Sequence, residues 1–326
     1  MIYPWHQTNW QDLAKQWQSK PNAWLITGKA LTGKTAFAEH LAQALLCEQP
    51  LADREPCGQC PSCHLMGQHS HPDFKLLTPF EEEGETNAKK LRQIKIDDVR
   101  EALSFIQLTS HRGGMRVLLI NPAETLNTQA ANALLKALEE PPAGVLFILV
   151  CHNKDKLLPT IKSRCRQLPL TAPSPDVALA YLQAQGTEHA EALLAFHHGA
   201  PLFEDEPDHL AMRAELLNLL SQPRLIACLD YAAKFDQKKW PLSLFLNWLQ
   251  KWCLDLAQMQ QTARLGFYPE HQQALQQLAK KIDSLKLFAY LDSLNALAPY
   301  GQHTLNVKLQ LEALLIDYLK LPQKSA

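Results

Sequence analysis

A chain of 326 residues, 46% of them hydrophobic, exceeds the usual size of one domain and carries enough apolar material for more than one core. Its 32 basic and 33 acidic side chains leave a formal net charge of −1, which excludes a protein that grips nucleic acid through bulk positive charge; any DNA contact must be local or indirect. The start, Met1-Ile2-Tyr3-Pro4-Trp5-His6, has no basic head followed by an apolar run, and no later segment approaches ~18 uninterrupted apolar residues, so the expectation is a soluble cytoplasmic protein with no membrane partner.

In chain order, the apolar run Ala23 to Ile26 leads into Gly28-Lys29-Ala30-Leu31-Thr32-Gly33-Lys34-Thr35, and Phe37, Leu41, Ala44 and Leu45 then recur at helical spacing to Leu46. Strand, glycine loop and helix make up a phosphate-binding unit. Gly28 and Gly33 let the backbone curl its N–H groups toward an anion, Lys34 reaches the outer phosphates and Thr35 holds magnesium. The bland alternative is an inherited turn that stays empty.

Cys47, Cys57, Cys60 and Cys63 follow, in the pattern Cys47-x9-Cys57-x2-Cys60-x2-Cys63. Two short spacings gather thiolates on a knuckle that Cys47, at the end of the preceding helix, closes. Four soft ligands suit tetrahedral zinc, and with no position left for water the site is expected to be structural. His64 is the substitute ligand should Cys47 point into the core. An iron–sulfur cluster is the competitor, although its bacterial form places a proline after the last cysteine and here His64 stands. Cys151, Cys165, Cys228 and Cys253 are scattered and read as small core residues.

Further strand-length runs lie at Phe74 to Leu77, Val117 to Ile120 and Val145 to Val150, with patterned helices from Asp97 to Leu108 and Gln129 to Leu138. Strands apolar on both faces and alternating with helices predict a mostly parallel sheet covered on both sides, a three-layer nucleotide-binding domain ending near Leu170. The acidic run Glu81-Glu82-Glu83-Gly84-Glu85 reads as a solvated loop.

The strand at Val117 ends in Asn121-Pro122, where a nucleotide hydrolase carries carboxylates to support magnesium and activate water. Neither residue does either job. Glu124 lies two residues on and would need an altered turn to substitute, so nucleotide binding with little or no hydrolysis is expected. Past Val150, Thr160-Ile161-Lys162-Ser163-Arg164-Cys165 puts Arg164 near the edge of the sheet, where a guanidinium could project to a neighbouring subunit's nucleotide.

Ala172-Pro173-Ser174-Pro175 reads as a linker, and beyond it the chain is Leu- and Ala-rich without convincing strands. Three domains are expected: 1–170 with the cysteine module at about 47–64, a small helical domain at 171–207, and a larger helical domain at 208–326. Trp240, Phe245, Trp248 and Trp252 mark an aromatic face that serves as core or as interface.

Taken together, Asn132-Ala133-Leu134-Leu135-Lys136-Ala137-Leu138-Glu139-Glu140-Pro141-Pro142 and Ser163-Arg164-Cys165 resemble the clamp-loader branch of the AAA+ ATPases. The cysteines inserted after the phosphate-loop helix narrow the resemblance to bacterial DNA polymerase III clamp-loader subunits. Asn121-Pro122 in place of Asp-Glu, and Gly199-Ala200-Pro201-Leu202 in place of a Gly-Ser-x-Arg sensor, resemble the delta-prime type rather than the motor type. The resemblance implies an AAA+ domain, a helical lid and a helical collar domain. It implies a hetero-pentamer with motor subunits and a delta subunit that loads the sliding clamp onto primer-template DNA. In such a ring this subunit acts as a rigid stator, and Arg164 completes the ATP site of a motor neighbour in trans. The intact loop departs from many delta-prime proteins, so any ATP or ADP bound at Gly28, Gly33, Lys34 and Thr35 is expected to be a structural ligand rather than a fuel, beside structural Zn2+ at the four cysteines. The rival readings are an active motor ATPase and, from another class, a zinc-dependent nucleic-acid-binding module, for which the stretch around Cys57 to Cys63 is poor in basic and aromatic residues.

Overall fold

The computed structural model describes residues 2–19, 21–79, 93–112, 114–203, 206–262, 265–301 and 306–321. The acidic run at Glu81 to Glu85 lies outside them. The chain divides into two compact units, with the divide after Val177.

In the first unit the elements run α1 (Gln7–Lys15), β1 (Ala23–Thr27), α2 (Lys34–Leu46), α3 (Pro61–Gly67), β2 (Phe74–Leu77), α4 (Ile96–Gln107), β3 (Arg116–Ile120), α5 (Thr128–Glu139), β4 (Val145–Cys151), α6 (Pro159–Arg164) and β5 (Arg166–Pro169). The five strands form one parallel sheet in the order β2-β3-β4-β1-β5. Every residue of β1, β3 and β4 is buried, as strands covered on both faces must be.

Alternation sorts their side chains. Leu25, Leu118, Ile120, Phe147 and Leu149 pack with Val99, Leu134 and Ile161 of α4, α5 and α6. Trp24, Ile26, Val117, Leu119, Ile148 and Val150 pack on the other face with Trp10 of α1 and Phe37 and Leu41 of α2. The expected three-layer arrangement is therefore present, and the expected helices begin or end within two residues of their positions.

Strand β5 carries no apolar alternation, which is why the sequence alone does not reveal it. Among the described residues it is an edge strand paired only with β1, with Trp24 opposite Arg166 and Thr27 opposite Pro169, and an edge tolerates proline and polar side chains.

The second unit is helical. It holds most of α7 (Pro175–Ala184), then α8 (Ala190–Phe196), α9 (Pro207–Ser221), α10 (Leu225–Gln237), α11 (Leu242–Gln261), α12 (Gln272–Ala279), α13 (Ser284–Leu297) and α14 (Val307–Leu319). Pro175 starts α7 where its missing N–H costs nothing, so the linker stops there. Ala178, Leu182, Ala190 and Leu194 make a small cluster of their own. The larger core is built on α11, whose Phe245, Trp248 and Trp252 are fully buried; Trp240 packs partly buried against it. The aromatic face is thus core, and the exposed apolar side chains of this unit include Leu225 and Ile226 of α10, Leu285 of α13 and Leu309 of α14. Among the described residues no helix is long and apolar enough to cross a membrane.

Candidate functional site

Strand β1 delivers the chain into the phosphate loop at the C-terminal edge of the sheet. Gly28 takes a φ of 153°, and a Cβ there would lie 2.7 Å from the Leu170 carbonyl oxygen just after β5, so only glycine lets the loop pass. Gly33 is left-handed, φ 92°, and caps α2, aiming the helix's first N–H groups and its positive end into the loop. Thr32 Oγ1 donates to Lys29 O at 2.8 Å, and Trp5 Nε1 donates to Thr32 O at 2.9 Å, so the N-terminal segment braces the loop from outside.

Lys34 is buried, and its ammonium donates back to Lys29 O. Burial pushes its pKa down to about 8, opposed by the negative charge of Glu124 and by Cys151. Asn121 Nδ2 donates to Thr35 Oγ1 at 3.2 Å. A neutral carboxamide therefore occupies the place where an acid would sit, and it touches the hydroxyl expected to hold magnesium.

Glu124 does reach this edge of the sheet, but its Oε1 accepts the backbone N–H groups of His152 at 2.9 Å and Asn153 at 3.0 Å. That carboxylate ties the loop after β3 to the end of β4. Its Oε2, and Asn121 Oδ1, are buried acceptors without hydrogen-bond partners among the described residues. Orphaned acceptors beside a buried ammonium and a helix N-terminus fit an anion that brings its own cation, as a magnesium nucleotide does. Gly28, Gly33, Lys34 and Thr35 would hold it.

The four predicted thiols converge. The Sγ atoms of Cys47, Cys57, Cys60 and Cys63 all lie within 4.8 Å of one another, with Cys47 3.9 Å from Cys60 and Cys57 3.9 Å from Cys63. A tetrahedron with ~2.3 Å zinc–sulfur bonds has edges of about 3.8 Å, whereas a disulfide needs ~2.05 Å. The knuckle turns its own amides onto the sulfurs: Cys57 N donates to Cys47 Sγ at 3.3 Å, Cys60 N to Cys57 Sγ at 3.3 Å and Cys63 N to Cys60 Sγ at 3.4 Å.

Hydrogen bonds from the Gln59 and Cys60 amides hold the Cys57 thiol down at about 6, while burial pushes Cys63 up to about 12 and raises Cys47. The buried thiols thus need a cation beside them to ionise, which four thiolates around zinc provide. His64 is not part of the cluster. The module is moored to the sheet unit by Ser62 Oγ donating to Glu48 Oε1 at 2.8 Å, by Arg112 pairing with the same carboxylate at 3.1 Å, and by His40 Nε2 against Glu55 Oε2 at 2.8 Å.

Arg164 ends α6, held over the sheet by the fully buried Ile161. Its Nη1 donates to Thr160 O at 3.0 Å, its Nη2 pairs with Glu139 at the end of α5, and its side chain is 31% exposed. The sequence alone offers no physical account of Glu139; the structure gives it a partner.

Two sequence profiles match, one described as "DNA polymerase III, delta subunit" over residues 5–174 and one as its C-terminal part over residues 207–320. The DNA polymerase III subunit delta' of Pseudomonas aeruginosa is 35% identical, with 98% of each chain covered. The chain belongs to the DNA polymerase III delta-prime family. The delta' subunit of Haemophilus influenzae is 32% identical over 81% of this chain and 82% of its own. The DNA polymerase III subunit tau of Salmonella typhimurium is 37% identical but over only 46% of this chain and 22% of its own length. Similarity to this tau relative thus covers less than half of the chain, whereas similarity to the Pseudomonas aeruginosa delta' subunit spans nearly all of it. Glu124 and Glu139 are the residues whose partners the sequence left unnamed, because each acts across a gap in sequence that no local pattern records.

Proposed function

We propose that the chain is the non-hydrolysing stator of a clamp loader, and that Arg164 serves in trans as an arginine finger at a motor neighbour's ATP site. The observation that carries the reading is the Asn121–Thr35 contact at 3.2 Å. With an amide there, and with Glu124 Oε1 tied to the backbone N–H groups just after β4, the loop holds a nucleotide but has no acid at the end of β3 to support hydrolysis. Bound ATP or ADP then stabilises the fold by mass action, as a structural ligand. A half-exposed arginine at a helix end, backed by its own subunit, has the geometry to reach out to phosphate oxygens on a neighbour.

In this reading the chain works in the cytoplasm within a hetero-pentamer of motor subunits and a delta subunit, acting on sliding clamp and primer-template DNA through the complex. Three functional divisions apply: 1–170 as AAA+ domain, 171–207 as lid and 208–326 as collar. The separate small core of α7 and α8 supports the middle division, and the exposed Leu225, Ile226 and Leu309 support an assembly surface on the last. The metal at Cys47, Cys57, Cys60 and Cys63 is structural zinc, for which the sulfur spacing speaks.

The deciding experiment measures ATP binding and turnover by the isolated chain, then DNA-stimulated turnover of reconstituted complex with wild-type or Arg164→Ala protein. Binding without turnover, and a defect in the variant complex with assembly intact, is the expected result. Robust turnover by the isolated chain, or full turnover with Arg164→Ala, overturns the stator or the finger role respectively.

A further inference from the structure

We infer that Glu139 is the positioning residue for Arg164, an assignment that rests on the finger reading above. The two side chains come from different helices. Leu134 and Leu138 seat α5 in the sheet's core, Ile161 seats α6 beside it, and their C-terminal ends bring carboxylate and guanidinium into an ion pair. The guanidinium is held from its own subunit: Nη2 by Glu139, Nη1 by the carbonyl of Thr160 at 3.0 Å and the hydroxyl of Ser163 at 3.4 Å, with Nε buried and unpartnered among the described residues. An arginine has five N–H donors in a fixed fork, so after these contacts Nη2 still keeps an N–H beyond the one given to Glu139.

A long side chain at a helix end is otherwise spread over many rotamers, and a charge that must meet a developing phosphate charge acts only from the right one. Glu139 narrows that spread. It also explains why an acid stands where α5 ends, a place where the helix dipole disfavours negative charge: the Arg164 guanidinium offsets it. Glu139 touches neither substrate nor reacting atoms and works only through Arg164.

The test uses the reconstituted complex with primer-template DNA, comparing ATP titrations for Arg164→Ala, Glu139→Gln, Glu139→Asp and the double variant Arg164→Ala/Glu139→Gln. Glu139→Gln is expected to lower kcat roughly three- to tenfold with KM nearly unchanged, because a half-exposed pair is worth little in stability but fixes geometry. Glu139→Asp restores part of the loss. The double variant matches Arg164→Ala alone, since a residue acting through another adds nothing once that one is gone.

Normal kcat with Glu139→Gln beside a defective Arg164→Ala removes the positioning role and leaves the finger standing. An equal further loss in the Arg164→Ala background, or a faster rate with Glu139→Gln, also removes it, the latter by making the carboxylate a restraint. Normal turnover with Arg164→Ala removes the finger and the positioning role together.

Discussion

Asn121 donates its side-chain amide to the Thr35 hydroxyl at 3.2 Å, joining the end of β3 to the first turn of α2. An aspartate there would offer negative charge to a magnesium ion; the carboxamide offers a hydrogen and consumes a lone pair of the hydroxyl instead. In the proposed reading, that neutral side chain, together with Pro122, leaves an edge that binds a nucleotide without the acids of hydrolysis.

Nucleotide binding should follow Lys34. Lys34→Ala is expected to abolish ATP binding in calorimetric titration, while Asn121→Asp alone yields no turnover because Pro122 supplies no second acid. With the ammonium held down at about 8, it loses charge as pH rises through that value. Affinity measured at pH 9 should be about tenfold weaker than at pH 7.

The cysteine cluster should carry one zinc per chain by elemental analysis. Cys60→Ala removes a central ligand and the N-cap acceptor of the Cys63 N–H, and is expected to release the metal and unravel α3. Because the sheet has its own two cores, circular dichroism should show the remaining helices retained.

Acid should destabilise the first unit through His6. Burial pushes its imidazole down to about 4, with Lys34 adding repulsion and the backbone at Thr171 partly opposing. A folded pKa below the unfolded one means that stability is complete above about 6.5 and lost as pH falls toward 4. The loss attributable to His6 is on the order of 2–3 kcal/mol. His6→Gln should flatten that part of the stability curve in urea titrations run between pH 7 and 4.5.

On the helical unit, two substitutions should separate core from surface. Trp252→Ala opens a hole beside Tyr318, whose hydroxyl accepts from Trp252 Nε1 at 2.8 Å, and should cost about 3–5 kcal/mol. Ile226→Asp alters a side chain 75% exposed and should leave thermal unfolding almost unchanged while weakening incorporation into reconstituted complex by size exclusion.

The spacing of glycines, cysteines and apolar runs determined by itself a parallel sheet with a phosphate-loop turn, a four-thiol cluster and a helical remainder, since each of these is a local pattern of period or interval. The same local reading found the missing acids at Asn121-Pro122. Tertiary structure alone decided the rest. Strand β5 exists because β1 offers a free edge, and Arg166-Gln167-Leu168-Pro169 carries no periodic signal of its own. Whether Trp248 and Trp252 face solvent or core depended on which helices surround α11. Glu124 and Glu139 acquired their roles only when folding brought them to the backbone of His152 and the guanidinium of Arg164, because hydrogen bonds and ion pairs act over ångströms in space and leave no trace in separation along the chain.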